Sequence, residues 1–197
     1  MRRDTHLIIR RILRDIQVEL SDEFDKNFER QGFFSEKWQR RKSPTRPGGA
    51  ILVDTGSLRR SVRSKVTDNS VVFYTDLPYA GIHNEGGDIV VTARMKRYFR
   101  AKFYESQGGF VRRKDGNSAR KPLSDGGFYA WTSTMQLSDE AEFWRFMALK
   151  KVGTKIKIPR RKFLGAGPEV EKAVREIIEE NLNEFFNGKT ASIKVKR

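Results

Sequence analysis

Between Leu7 and Phe28, apolar residues return every three or four positions: Ile9, Ile12, Leu13, Ile16, Leu20, Phe24 and Phe28. That spacing lines them up on one side of a helix and predicts an amphipathic helix over 7–28, with Gly32 as its stop signal. A second helix is expected over 168–186. Pro168 suits a first helical turn, and Glu169 and Glu171 sit near the positive end of the helix dipole. Val170, Val174, Ile177, Ile178, Leu182, Phe185 and Phe186 form its apolar side, and Gly188 is the expected terminator. After it, "KTASIKVKR" reads as a short strand or a frayed basic arm.

Other stretches follow other patterns. "SVRSKVTDNSVVFYTD" sets β-branched and aromatic positions on both sides of Asp68-Asn69, which predicts a β-hairpin turning near Asn69. Before it, "DTGSLRRS" reads as a tight turn and a short helical piece. Asp54 or Thr55 can accept a backbone N–H there, and Gly56 relieves the φ restriction. "LPYAGIHNEGG" places Tyr79, Ala80, Ile82 and His83 over one helical turn, which Gly86-Gly87 would stop and release into "DIVV". Phe33, Phe34 and Trp38 are expected to cap the core, and "QRRKSPTRPGG" to form a mobile loop. Over 88–157, three pieces are expected. "TARMKRYFRAKFYES" is a helix with Met95, Tyr98, Phe99 and Phe103 on one side, and "GGFVRRKDGNSARKPLSDGG" is loop or hairpin material turning at Asp115-Gly116. "SDEAEFWRFMALKKVG" is a short helix capped by Ser138 or Asp139, with acids in its first turn, lysines in its last and Gly153 at its end.

Length and composition narrow the class. A chain of 197 residues fits one domain with a sizeable core, and 14 Phe, 5 Tyr and 3 Trp are too many for a disordered chain. No stretch approaches the roughly 20 apolar residues that span a bilayer, and the basic N-terminus lacks the apolar block of a signal peptide. The net charge of +15 is unevenly spread: residues 88–162 hold 18 basic and 7 acidic side chains, whereas 51–87 and 163–197 are each neutral. The basic stretch is therefore the candidate contact surface for phosphate or for an acidic protein face.

Candidate chemistry is sparse. There is no cysteine, and the two histidines, His6 and His83, lack zinc-type spacing. Asp54, Asp68, Asp76 and Glu85 fall at turn positions, where carboxylates serve the backbone. No phosphate-binding glycine loop and no nucleophile elbow is present, so no catalytic, cofactor-binding or metal-binding residues are assigned. His83 is expected to be half-buried and neutral, donating to one backbone group and accepting from another to hold a corner together. The sharper alternative is nucleic-acid binding. Arg94, Lys96, Arg97, Arg100, Arg112, Arg113 and Lys114 interleave with Tyr98, Phe99 and Phe110, a composition suited to phosphate neutralisation and stacking.

Three pieces stand in order: "LVDTGSLRRSV", "YAGIHNEGG" and "IPRRKFLG" before the last helix. Together they resemble the phage virion morphogenesis, or tail completion, family of Mu-like and related tailed phages and prophages. The matching residues are Leu52, Thr55, Gly56, Leu58 and Ser61; Tyr79, Ala80, His83, Gly86 and Gly87; and Ile158, Pro159, Arg161, Phe163, Leu164 and Gly165. The resemblance covers residues 7–87 and 158–187. Lys162 stands where the family has proline, which is expected to loosen that segment, and the stretch from Asp88 to Lys157 is longer than the family's connection.

The resemblance implies a non-enzymatic assembly protein of the head–tail junction, present in the virion and in the bacterial host cytoplasm during assembly. Its implied partners are other tail or neck proteins, and copies of itself in a ring, although the isolated chain can be monomeric. The fold expected is α+β: a long N-terminal helix and a C-terminal helix packed on a small, mainly antiparallel sheet. The core would comprise residues 1–87 and 158–197, with 88–157 as a basic insertion within the same domain. The rival reading is a DNA-binding accessory protein using the basic 88–162 segment; a nuclease ranks third, since no acidic metal cluster supports it.

Overall fold

The computed structural model describes residues 2–43, 45–46, 48–107, 110–112, 118–120 and 137–194. In chain order the elements begin with α1 (Arg2–Arg30), β1 (Gly32–Phe33), β2 (Glu36–Lys37), α2 (Ser57–Ser61), β3 (Arg63–Val66), β4 (Val71–Tyr74) and α3 (Ala80–Glu85). They continue with β5 (Gly87–Val90), α4 (Ala93–Ser106), β6 (Phe110–Arg112), β7 (Ser118–Arg120), α5 (Asp139–Leu149), β8 (Lys155–Ile158) and α6 (Pro168–Lys194). The chain is α+β, and it forms two compact units. One comprises Met1–Gln39, Ala50–Gly86 and Pro159–Arg197; the other comprises Arg40–Gly49 and Gly87–Ile158.

The first unit is built on α1. α6 packs along it, where Asn181 Nδ2 donates to Asp15 Oδ2 at 2.9 Å. The β3–β4 hairpin lies against another side and turns at Asp68-Asn69 as expected: Arg63 pairs with Tyr74 and Val66 with Val71, and Thr67 N–H bonds Ser70 O at 2.8 Å to close the turn. Covered on two sides, α1 buries more than one stripe. Ile8 is buried along with Leu13, Ile16, Leu20, Phe24 and Phe28, while Ile9, expected in the stripe, is 41% exposed. Ile9 instead lines an open apolar groove of about 580 Å³ with Leu13, Val71, Leu164, Val170 and Val174.

The ends of both long helices depart from expectation. α1 stops at Gln31, not Gly32: Gln31 has φ 56°, and its side chain bonds the Phe28 carbonyl and the Ile51 N–H. Gly32 serves a different need, because a Cβ there would come within 2.5 Å of the Glu36 carbonyl across the β1–β2 turn. α6 runs through Gly188 to Lys194, so the expected strand or frayed arm is helical that far. A glycine inside a helix costs only about 1 kcal/mol, too little to break one already packed along α1.

The expected small sheet is divided. The described strands form four separate two-stranded antiparallel ladders, β1–β2, β3–β4, β5–β8 and β6–β7. The β6–β7 pair, with Phe110 opposite Arg120, makes the expected hairpin; its Asp115-Gly116 turn lies outside the described residues.

In the second unit α4 and α5 pack together, burying Phe99, Phe103, Ala141 and Ala148, with the Phe99 and Trp144 rings stacked at 6.1 Å. Tyr98, expected on the same side, is 52% exposed and meets Trp144 edge-on. Thr92 caps α4 by accepting from Met95 N–H at 3.2 Å, and Ser138 caps α5 by accepting from Ala141 N–H at 3.3 Å. α5 ends at Leu149, so Lys150 and Lys151 follow it. The ladder from Gly87–Ile158 to Val90–Lys155 pairs the first and last strands of the 87–158 stretch.

Phe24 carries the densest aromatic contacts of the first unit. Its ring meets Phe73 at 5.0 Å, Phe33 at 6.3 Å and Phe34 at 6.5 Å. Phe24→Ala is predicted to cost about 3–5 kcal/mol and Phe24→Leu much less. Urea unfolding with an unchanged slope would measure this; equal losses for the two variants would show that the aromatic ring itself, not the volume it fills, carries the contribution.

Candidate functional site

The three sequence motifs meet in the first unit. Leu58, Ala80 and Phe163, one from each motif, are buried in one cluster with Phe28 and Trp38. The cluster is apolar because each motif contributes one side chain inward and spends its polar groups on backbone.

The turn before α2 works as expected. Gly56 has φ 76°, the Thr55 hydroxyl is 2.6 Å from the Ser57 hydroxyl, and the Thr55 oxygen accepts from the Ser57 N–H at 3.4 Å. Arg60 then donates to the Thr55 carbonyl at 2.8 Å. Leu58 points into the cluster, and Ser61 donates to the Leu58 carbonyl at 2.7 Å while meeting the Thr75 hydroxyl at 2.7 Å. Arg59, not picked out from sequence, ties α2 to α1. Its guanidinium bonds Asp25 and Glu29 and holds the Asp25 carboxyl below the usual carboxylate range.

The corner at α3 is held differently from the expectation. Tyr79 and His83 rings meet edge-on at 6.1 Å, and Gly86 ends the helix with φ 74°. A Cβ on Gly86 would lie 2.8 Å from the Arg160 nitrogen, so the position requires glycine for both space and conformation. Gly87, with φ 142°, then opens β5. His83 is half-buried, as expected, but its imidazole does not bridge two backbone groups: Nδ1 is buried and makes no hydrogen bond. The residue contributes through its backbone, whose carbonyl accepts from the Arg161 N–H at 2.8 Å.

Asn84, the next residue, makes the bonds assigned to the histidine. Its Oδ1 accepts from Phe163 N–H at 3.0 Å and Leu164 N–H at 3.1 Å, and its Nδ2 donates to Leu164 O at 3.0 Å. From the other side, Trp38 Nε1 donates to Lys162 O at 2.6 Å and Asn27 Nδ2 donates to Phe163 O at 3.3 Å. Asn27, fully buried, also accepts from Phe34 N–H at 2.9 Å. Residues 161–164 are thus an extended segment whose backbone bonds go to side chains and to the His83 carbonyl instead of a neighbouring strand.

Lys162 does not loosen this segment. Its ammonium lies 4.6 Å over the Phe33 ring and donates to the Ala166 carbonyl. Arg161 reaches the Gln39 carbonyl through Nε at 3.1 Å, and Pro159 is half-buried beside Arg160. Asn27 and Asn84 were missed because neither is unusual in composition. The available signal was an asparagine three residues after Phe24, on the face of α1 that should be apolar.

The basic candidates occupy the second unit. Arg94, Lys96, Arg97 and Arg100 lie on α4, and among the described residues none of the four makes an ion pair, whereas Lys102 on the same helix pairs with Glu105 at 2.7 Å. Arg112 ends β6, while Arg113 and Lys114 lie outside the described residues. Among the described residues no three His, Asp or Glu side chains group in a way that could hold a metal ion. Among the described residues no helix is long and apolar enough to cross a membrane.

Fold and site together define an α+β protein whose sequence motifs converge to clasp one buried segment of backbone. The sequence profile of the phage virion morphogenesis family matches residues 4–122, more than half of the chain, and the protein belongs to that family. No curated protein and no solved structure gives a significant match. The family match takes in the first two motifs, α4 and the β6–β7 hairpin, and leaves the "IPRRKFLG" motif and α6 beyond its end.

Two predictions follow from the clasp. Asn84→Ala leaves two half-buried N–H groups and one carbonyl without this partner and is expected to cost on the order of 3 kcal/mol, whereas Thr55→Ala, in an exposed turn, should cost less than about 1 kcal/mol. Equal unfolding midpoints for the two variants would contradict this account. The second concerns pH. Burial, and then the charge of Arg161, push the His83 pKa below its ordinary 6.5. The unfolded chain therefore binds this proton more readily than the folded one, so the stability is fully present above pH about 6.5 and is lost as pH falls below it. Urea midpoints taken from pH 7.5 to 5 should decline for the native protein, and less steeply for His83→Asn.

Proposed function

We propose that this protein is a non-enzymatic assembly factor acting in tail completion or head–tail joining, as a subunit of a ring on the particle. Membership of the phage virion morphogenesis family is the observation that carries this reading. The clasp is consistent with it, since Thr55, Gly56, Ser61, Gly86 and Asn84 serve backbone geometry and leave the surfaces of the chain for neighbours. The partners in this reading are other tail or neck proteins, met in the host cytoplasm during assembly and retained in the virion. The ring forms on the growing particle, and the isolated chain is monomeric.

A second reading is supported by four cations on α4 that make no ion pair among the described residues, with exposed Tyr98 among them. In that reading the α4 surface contacts DNA, by phosphate neutralisation and stacking.

The test is negative-stain electron microscopy of a lysate from the source phage or prophage with this gene deleted. Separate heads and tails, or tails with abnormal ends, are expected. Normally joined particles would sink the joining reading. A steep fall of DNA affinity with salt, lost in Arg94→Ser/Arg97→Ser, would then favour the second.

A further inference from the structure

An antiparallel ladder uses the backbone groups of alternate residues, and the others face away from the partner strand. In the β3–β4 hairpin the Thr67 N–H bond to Ser70 O fixes the alternation. Lys65–Val72 and Arg63–Tyr74 are then the hydrogen-bonded pairs, and the N–H and carbonyl groups of Val71 and Phe73 point outward from β4. Among the described residues β4 has no second partner strand, and no backbone group outside the ladder bonds Val71 or Phe73. Native proteins blunt such edges with charges, proline or bulges. β4, Val71 to Tyr74 in unbroken register, has none of the three.

The apolar groove of the first unit lies on the same side. Val71 and Phe73 line it, whereas among the described residues no residue of β3 does. Ile9 and Leu13 of α1 lie along its floor, and Val170 and Val174 of α6 form the facing wall. A strand added to β4 would run about 4.8 Å from it and turn every second side chain down into this groove. At about 580 Å³ the groove is the size that encloses a drug-sized molecule, so it takes a few residues of chain and not a further hairpin. With α6 standing opposite the edge, the occupant that fits is a single extended segment.

Charge selects among such segments. On the solvent face of the hairpin, exposed Arg63 and Lys65 stand across from Tyr74 and Val72. The two strands contain no carboxylate; Asp68 is in their turn and Asp76 lies beyond the end of β4. Long cationic side chains lean over apolar neighbours, so carboxylates on the outward face of an added strand would meet them. On the α6 wall, Glu171 and Arg175 are exposed, one turn apart and opposite in sign, and add no preference. We propose that the β4 edge is a docking site for an extended arm of another protein, apolar at alternate positions and acidic between them. The arm adds a strand to β4, bonded through Val71 and Phe73, and its apolar side chains fill the groove. That the arm belongs to a neighbouring virion protein rests on the assembly reading above; the site itself does not.

The probe is a pool of soluble seven-residue peptides with Val, Ile or Leu at every second position and Glu or Thr between them. A control pool has the same composition with the apolar residues at helical spacing. Amide hydrogen exchange of the full chain is followed residue by residue by NMR. With the alternating pool, exchange at Val71 and Phe73 should slow by about tenfold or more, while Val72, already bonded across the ladder, changes little. Val71→Pro removes one outward donor and no ladder bond, a change that edge strands accept, and should weaken peptide binding about tenfold. Arg63→Glu/Lys65→Glu should turn the preference from Glu-bearing to Lys-bearing peptides.

Slowed exchange at Val71 and Phe73 with the alternating pool alone supports the proposal. No change there with either pool, slowing confined to other residues, or equal effects of the two pools overturns it. So does a folded Val71→Pro chain that binds as tightly as the native one; where that variant fails to fold, the exchange readings on the unaltered chain decide. A sedimenting dimer of the chain alone, with these two amides already protected, would put a second copy on the edge and also overturn it. None of these outcomes touches the gene-deletion particles, which test the assembly reading separately.

Discussion

A buried stretch of extended chain without a strand beside it must find partners for every N–H and carbonyl, or lose on the order of 1–3 kcal/mol for each one left unmade. Residues 161–164 are a half-buried stretch of this kind, with the Phe163 side chain almost wholly buried between α1, α2 and α3. Partners for most of it come from distant parts of the chain: the side chains of Asn27 from α1, Trp38 from after β2 and Asn84 from α3, and the backbone carbonyl of His83. Most other features of the first unit follow from this. Gly86 must be glycine so that residue 160 can pass, and Asn27 must interrupt an apolar helix face. Trp38 must sit where its indole reaches a carbonyl.

The two charge populations are handled differently. In the first unit, basic side chains are tied down by carboxylates: Arg59 by Asp25 and Glu29, Lys26 and Arg30 by Glu23, Arg11 by Glu184. Each of these surface or half-buried pairs contributes little stability individually. In the second, Arg94, Lys96, Arg97 and Arg100 make no ion pair among the described residues.

Regular, periodic parts of the structure were legible in the sequence. Both long helices, the hairpin about Asp68-Asn69, the Thr55–Gly56 turn and the α3 corner follow from periodicity and turn chemistry. Terminators were read less well, because a glycine was taken as the stop where Gln31 supplied the positive φ, and Gly188 did not end α6. Sheet organisation was not legible, since alternation marks a strand but not its neighbour, and β5 finds β8 some 64 residues later in the chain. The clasp was read as a histidine corner because histidine stands out by rarity. The asparagine beside it has the better geometry: an amide carries acceptor and donor on one rigid end, and can bond N–H and carbonyl groups of one extended segment at once.

The β5–β8 ladder has a consequence for the order of folding. Closing a loop between residues 84 and 163 of an open chain costs entropy that grows with the logarithm of the intervening length. Once Gly87 is opposite Ile158, the stretch between them no longer counts, and only a few residues on each side separate Asn84 from Phe163. The ladder is therefore an entropic shortcut. It also means that the stretch it closes can change in length without altering how far apart the two halves of the clasp begin.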